Sequence, residues 1–251
     1  MIRWCTIIYK NNITKRQVLT INTNKGDGLM NLIDHFKCDL PSICLITDDP
    51  YRVKMIAAHY LDKVEIFTET RGQVGLMGEF NNIPLIVMSV GIGITSTMAY
   101  LSELCSKNKI YRVVYFGDCI TNDSSLPVGS TTFISKAYEN DQCFAASENL
   151  FEYAGVIMRK HNINALACVT TTNDNYYIEK KYITNQESKV LDFTTSAIYR
   201  LNNNYTHMET LSMLNVCGNV NTNEKIDEAV RQSGCHSGIM LALNTVTYKT
   251  V

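Results

Sequence analysis

The sequence is short of the patterns that mark several protein classes. None of its nine cysteines forms a C-x-x-C pair, and no Cys/His cluster has zinc-ligand spacing. A zinc ribbon, a zinc finger and a thioredoxin-like redox motif are therefore excluded. No run approaches the roughly 18 consecutive apolar residues of a membrane-spanning helix. The start, Met1-Ile2-Arg3-Trp4-Cys5-Thr6-Ile7-Ile8-Tyr9-Lys10, is apolar only briefly and lacks a cleavage-type sequel. A cytoplasmic, reducing location is expected. Excess charge of one sign is also missing. The formal net charge of -1 gives no reason to expect a nucleic-acid or membrane partner. Internal repeats and low-complexity linkers are absent, and charged residues reach only 19%, too few for a disordered chain.

Apolar material is plentiful. Hydrophobic residues make up 45% of 251, enough for a large core in one α/β domain. Most cysteines lie in apolar runs, such as Ile43-Cys44-Leu45-Ile46, and read as small buried hydrophobes. An assembly cross-linked by disulfides is the rival reading.

Residues 1–40 read as an N-terminal extension. Thr6–Tyr9 and Gln17–Ile21 are β-like, with a turn signal at Lys10-Asn11-Asn12, so a hairpin is expected there. Residues 41–251 read as the main domain. Strands are expected at Ser42–Ile46, Lys63–Thr68, Gln73–Phe80, Pro84–Val90, Arg112–Phe116, Thr131–Ala137, Ala165–Thr171 and Leu211–Val216. Helices are expected at Pro50–Leu61 and Thr95–Ser106, and near 148–161, 187–203 and 223–245. Asn81-Asn82 suits a hairpin turn. This alternation predicts a mixed sheet flanked by helices.

Three segments stand out. The first is Thr47-Asp48-Asp49-Pro50-Tyr51-Arg52-Val53-Lys54. The second is Thr70-Arg71-Gly72-Gln73-Val74-Gly75, followed by Val90-Gly91-Ile92-Gly93-Ile94-Thr95-Ser96. The third is Val113-Val114-Tyr115-Phe116-Gly117-Asp118-Cys119. In order and spacing they resemble the nucleoside phosphorylase family, which includes hexameric purine nucleoside phosphorylases and uridine phosphorylases. They match its Gly-Asp-Pro-x-Arg phosphate loop, its Arg-Gly-x-x-Gly strand with a Gly-x-Gly-x-x-Ser turn, and its strand ending Arg-x-Gly-Ser/Thr-Cys/Ala-Gly. The resemblance is good over about 44–130 and weaker beyond. It implies an α/β/α sandwich with a central mixed sheet, and no cofactor or metal.

The resemblance also implies site residues, several of them altered. Arg52 and Arg71 match phosphate arginines, and Ile92 lies in the glycine turn. Asp48 replaces the loop glycine, Tyr115 the strand arginine and Asp118 the phosphate-capping hydroxyl. The ribose motif Glu-Met-Glu falls on Asp192-Phe193-Thr194, so Thr194 replaces the ribose glutamate. Gly218 replaces the acid aspartate, and Tyr176 keeps the base-stacking aromatic. A phosphate dianion needs cations and donors to replace its water. Two carboxylates in their place oppose it by roughly 4 kcal/mol per close pair.

Three smaller features are weighed against the bland alternative. Arg52 and Arg71 serve either an anion or structural salt bridges, with Asp48 or Asp118 as partners. The Gly91-Ile92-Gly93 turn could place an anion at a helix start, but it lacks the third glycine and acidic partner of a dinucleotide site. Cys119 reads as a buried thiol.

The expectation is a non-catalytic protein of this fold, used for self-assembly, storage or binding, with itself as partner in a homo-oligomer built from dimers. The alternative is an active nucleoside phosphorylase or N-glycosidic hydrolase with an altered anion site. Asp118 is then the catalytic carboxylate, and a nucleoside is the ligand.

Overall fold

The computed structural model describes residues 32–33, 39–175, 187–205, 207–233 and 235–248. The described residues belong to one compact unit. The hairpin expected within residues 1–25, and Tyr176, lie outside the described residues.

The order of elements follows the hydrophobic pattern. Strand β1 (Ile43–Thr47) leads into helix α1 (Pro50–Tyr60). Asp49 caps α1 by accepting from Tyr51 N at 2.8 Å, and Pro50 occupies its first turn. Strands β2 (Asp62–Thr70), β3 (Gln73–Phe80) and β4 (Ile83–Ser89) form two successive hairpins. Each turn has two residues at positive φ: Arg71 (55°) with Gly72 (79°), and Asn81 (52°) with Asn82 (61°). Positive φ at both positions matches the twist of the strands.

Helix α2 (Ile94–Lys107), β5 (Arg112–Thr121), β6 (Thr131–Glu139), β7 (Gln142–Ala145), α3 (Glu148–Lys160) and β8 (Ala165–Thr172) follow. Then come β9 (Val190–Asp192), α4 (Thr195–Asn204), β10 (Glu209–Asn219), β11 (Glu224–Lys225), α5 (Glu228–Ser233) and α6 (His236–Val246).

Eleven strands form one mixed sheet, in the order β11-β10-β6-β8-β9-β5-β1-β4-β3-β2, with β7 beside β6. Strand β1 runs parallel to both β4 and β5. The pairings β5–β10, β10–β6, β6–β8, β8–β9 and β9–β5 close a ring at one side. The mixed sheet flanked by helices is as expected, and the ring is an addition to it.

The period of two along the strands divides the core. Cys44 and Ile46 of β1, Ile86 and Met88 of β4, and Val113 and Tyr115 of β5 join Tyr100, Leu101 and Leu104 of α2 and Ile198, Tyr199 and Leu201 of α4. The alternate residues Leu45, Val87, Val114 and Phe116 join Val53 and Ile56 of α1, Leu150 and Ile157 of α3, and Ile239 and Leu243 of α6. Buried on both faces, these strands read as unbroken apolar runs.

Two expected helices differ. Residues 187–203 are not one helix, because Val190–Asp192 pair with β5 and β8 before α4 begins. Residues 223–245 divide into β11, α5 and α6, with the break between helices after Ser233, where glycine comes next in sequence. The short β7 was not expected; it exists through its register with β6. The seven described cysteines are free thiols.

Gly238 lets α6 sit directly on β5. A Cβ there would stand 2.6 Å from Cε2 of the buried Phe116 ring. Gly238→Val is expected to lose about 1–3 kcal/mol through overpacking, read as a lower thermal unfolding midpoint.

Candidate active site

The site lies where β1 ends beside the continuing strand β5. Their parallel pairing sets Ile46 opposite Tyr115, so the residues after β1 lie beside the second half of β5. Arg52, in the first turn of α1, points back into this corner and is only 2% exposed. Its guanidinium stacks 5.2 Å from the centre of the Phe116 ring.

Every contact of that guanidinium is within the chain. Arg52 Nη1 donates to Asp48 Oδ1 at 3.2 Å, Thr47 Oγ1 at 3.3 Å and the Phe116 carbonyl at 3.4 Å. Arg52 Nη2 donates to both carboxylate oxygens of Asp118, each at 2.9 Å. Burial works against the charge on Arg52, but Asp118 and Asp48 outweigh it and hold the pKa above its ordinary value.

A second arginine closes the other side. Arg231 of α5 donates from Nη1 to Asp118 Oδ2 at 2.7 Å and from Nη2 to Asp49 Oδ2 at 3.0 Å. Its Nε and Nη2 also reach the two oxygens of Glu228, at 2.7 and 2.6 Å. Those bonds to Glu228, then Asp118 and Asp49, raise its pKa against burial. Sequence reasoning missed Arg231, because the residue lay within the helix expected near 223–245 and no local motif surrounds it.

Asp48 and Tyr115 complete the corner. The Tyr115 hydroxyl donates to Asp48 Oδ2 at 3.4 Å, and Tyr115 is fully buried. Burial, together with Asp48 and Asp192, raises its pKa, while Thr194 beside it works the other way. Thus Asp48, Arg52, Tyr115, Asp118 and Thr194 do come together. The Asp48 side chain is 15% exposed. Burial pushes its pKa up to about 6; Arg52 lowers it, and Asp118 raises it.

The Asp192-Phe193-Thr194 segment is organised differently. Asp192 is fully buried and accepts from Thr170 Oγ1 (3.0 Å), Thr172 Oγ1 (2.9 Å), Thr194 N (2.8 Å) and Thr195 N (2.7 Å). It caps the start of α4. Phe193 is half-buried. Gly218 follows an irregularity in β10 and pairs with Lys225 of β11.

Arg71 lies in the exposed β2–β3 turn, and Ile92 is 57% exposed before α2. The anion at the α2 start belongs to the chain itself: Asp174 Oδ1 accepts from Ile94 N at 3.1 Å. Gly93, at φ 98°, leaves the space; a Cβ there would lie 2.2 Å from that oxygen. Cys119 is a buried thiol whose pKa burial pushes well up. Among the described residues, no group of three or more His, Cys, Asp or Glu side chains could hold a metal ion. No described helix is long and apolar enough to cross a membrane.

Known proteins share this fold. The chain is 29% identical to a DeoD-type purine nucleoside phosphorylase of Bacillus velezensis, over 84% of this chain and 97% of the relative. It is 24% identical to the DeoD-type enzyme of Mycoplasma genitalium, over 82% and 94%. The crystal structure of purine nucleoside phosphorylase from Toxoplasma gondii in complex with immucillin-H superposes with a TM-score of 0.79 at 17% identity, covering 89% of this chain and 97% of that one. The chain is thus similar in sequence to purine nucleoside phosphorylases and shares their fold. No family model matches it. At the corner after β1, the Arg52 guanidinium is held by carboxylates of the chain.

The raised pKa of Asp48 has a stability consequence with a definite sign. A carboxyl group whose folded pKa exceeds its unfolded value binds more protons when folded. Its contribution to stability is therefore present at low pH and is lost as pH rises from about 4 to about 6. Asp48→Asn removes this loss. The variant is expected to gain on the order of 2 kcal/mol relative to wild type between pH 4.5 and pH 8, roughly, checked by denaturant unfolding of both proteins at the two pH values.

Proposed function

We propose that the protein cleaves the N-glycosidic bond of a nucleoside, with purine nucleosides as the first substrate class to try. The observation that carries this reading is the corner itself. Thr47-Asp48, at the end of β1, and Asp118, beside it on the adjacent parallel strand β5, converge on the buried Arg52. Strand ends of open α/β sheets are where ligands bind. Relatives named as purine nucleoside phosphorylases match this chain over nearly their whole length, which supports catalysis rather than storage.

The anion side is altered. Two guanidiniums, Arg52 and Arg231, stand among four carboxylates, Asp48, Asp49, Asp118 and Glu228. Such a corner does not attract a dianion.

A second reading, a non-catalytic protein for binding or self-assembly, is favoured by one observation. Arg52 is fully engaged by Thr47, Asp48, Phe116 and Asp118, and Asp192 by its cap of α4.

The test is release of free base from inosine, adenosine and uridine by the full chain. Saturable release from at least one purine nucleoside is expected, with Arg52→Ala reducing it by roughly a hundredfold or more, as for loss of one electrostatic contact in a buried site. If no base is released while nucleosides still raise the thermal midpoint, the second reading replaces the first.

A further inference from the structure

We propose that water, and not inorganic phosphate, is the nucleophile at this corner, and that Asp48 is the general base that activates it. The proposal rests on the N-glycosidic reading and deepens it. It also assigns the base role to Asp48 instead of Asp118.

The geometry separates the three aspartates. Asp118 receives both oxygens' hydrogen bonds from Arg52 at 2.9 Å and a further one from Arg231 at 2.7 Å. Both of its oxygens are thus already taken up by guanidinium donors. Asp49 has one oxygen on the α1 cap and the other on Arg231. Asp48 differs. Its Oδ1 is shared by Arg52 at 3.2 Å and Thr47 at 3.4 Å, whereas its Oδ2 meets only the Tyr115 hydroxyl, at a long 3.4 Å. That oxygen has lone-pair capacity left for a water proton.

The groups that face Asp48 are Arg52 from α1, Asp49 beside it, and Tyr115 and Asp118 from β5; Arg231 of α5 acts through Asp118 and Asp49. Burial raises the Asp48 carboxyl to about 6, with Arg52 pulling it down and Asp118 and Asp49 pushing it up, in the range where a base works best close to neutral pH. The same carboxylates set phosphate aside. A dianion in this corner would meet Asp48 and Asp118, while the guanidinium that should receive it is already bonded to them.

The step balances without any other reactant. Water gives a proton to Asp48 Oδ2 as its oxygen bonds to the sugar's anomeric carbon. The carbon–nitrogen bond breaks, and its electron pair leaves with the base, which takes a proton from solvent. Asp48 returns its proton to solvent. The products are free base and free pentose.

The experiment follows inosine cleavage by the full chain in phosphate-free buffer and with added inorganic phosphate. Base release is monitored together with the sugar product, and phosphorus NMR reports any sugar phosphate. The expected result is free ribose at a rate that phosphate changes by less than about twofold. The rate should rise with pH through about 6, the value at which Asp48 loses its proton. Asp48→Asn should lower kcat by roughly 100-fold to 10,000-fold and abolish that limb. A phosphate titration of the wild-type chain, followed by NMR line width, should show no saturable binding. Ribose 1-phosphate as product, a rate proportional to phosphate, saturable phosphate binding, or an unchanged pH limb in Asp48→Asn would each overturn the proposal. Base release that requires phosphate overturns this proposal alone, whereas no release in either buffer overturns the N-glycosidic reading as well.

Discussion

The ion pair between Arg52 and Asp118 is the interaction on which the corner depends. It joins the first turn of α1 to the second half of strand β5, with the guanidinium almost wholly out of water. A buried guanidinium without a counter-charge is strongly unfavourable. Once Arg52 is placed under Phe116, carboxylates have to reach it. Asp118 does so with two oxygens, and Asp48 reaches it from the same loop. Arg231 then satisfies the outer face of Asp118 and ties α5 to it. The arrangement is a chain of alternating charge that ends at the surface on Glu228.

This chain of charge explains why a fold shared with phosphorylases has a different electrostatic character at the same corner. Glycine and a hydroxyl leave a cation free for an external anion. Two aspartates supply the anions from within. The cation is retained but internally neutralised. Tyr115 adds a buried hydroxyl that donates to Asp48.

A similar substitution of internal for external partners recurs elsewhere. Asp174 supplies the carboxylate at the start of α2, and Asp192 supplies it at the start of α4. Both helix starts have backbone donors that need an acceptor. The chain meets that need with its own side chains.

Local identity and spacing were enough to expose much of this in the sequence. The apolar runs of β1, β4 and β5 announced strands buried on both faces. Asn81-Asn82 announced its hairpin, and the helix expected from Pro50 is α1. The replacements at Asp48, Tyr115 and Asp118 were visible because they lie inside three short, ordered motifs. The tertiary structure alone decided which charges meet. Arg231 lies 113 residues from Asp118 and 182 from Asp49, and only the tertiary fold brings them together. Likewise Val190–Asp192 became a strand, not a helix turn, because β5 and β8 offered unpaired backbone on either side. Pairing of this kind is a property of sheet register and long-range contact, and periodicity within one segment carries no information about it.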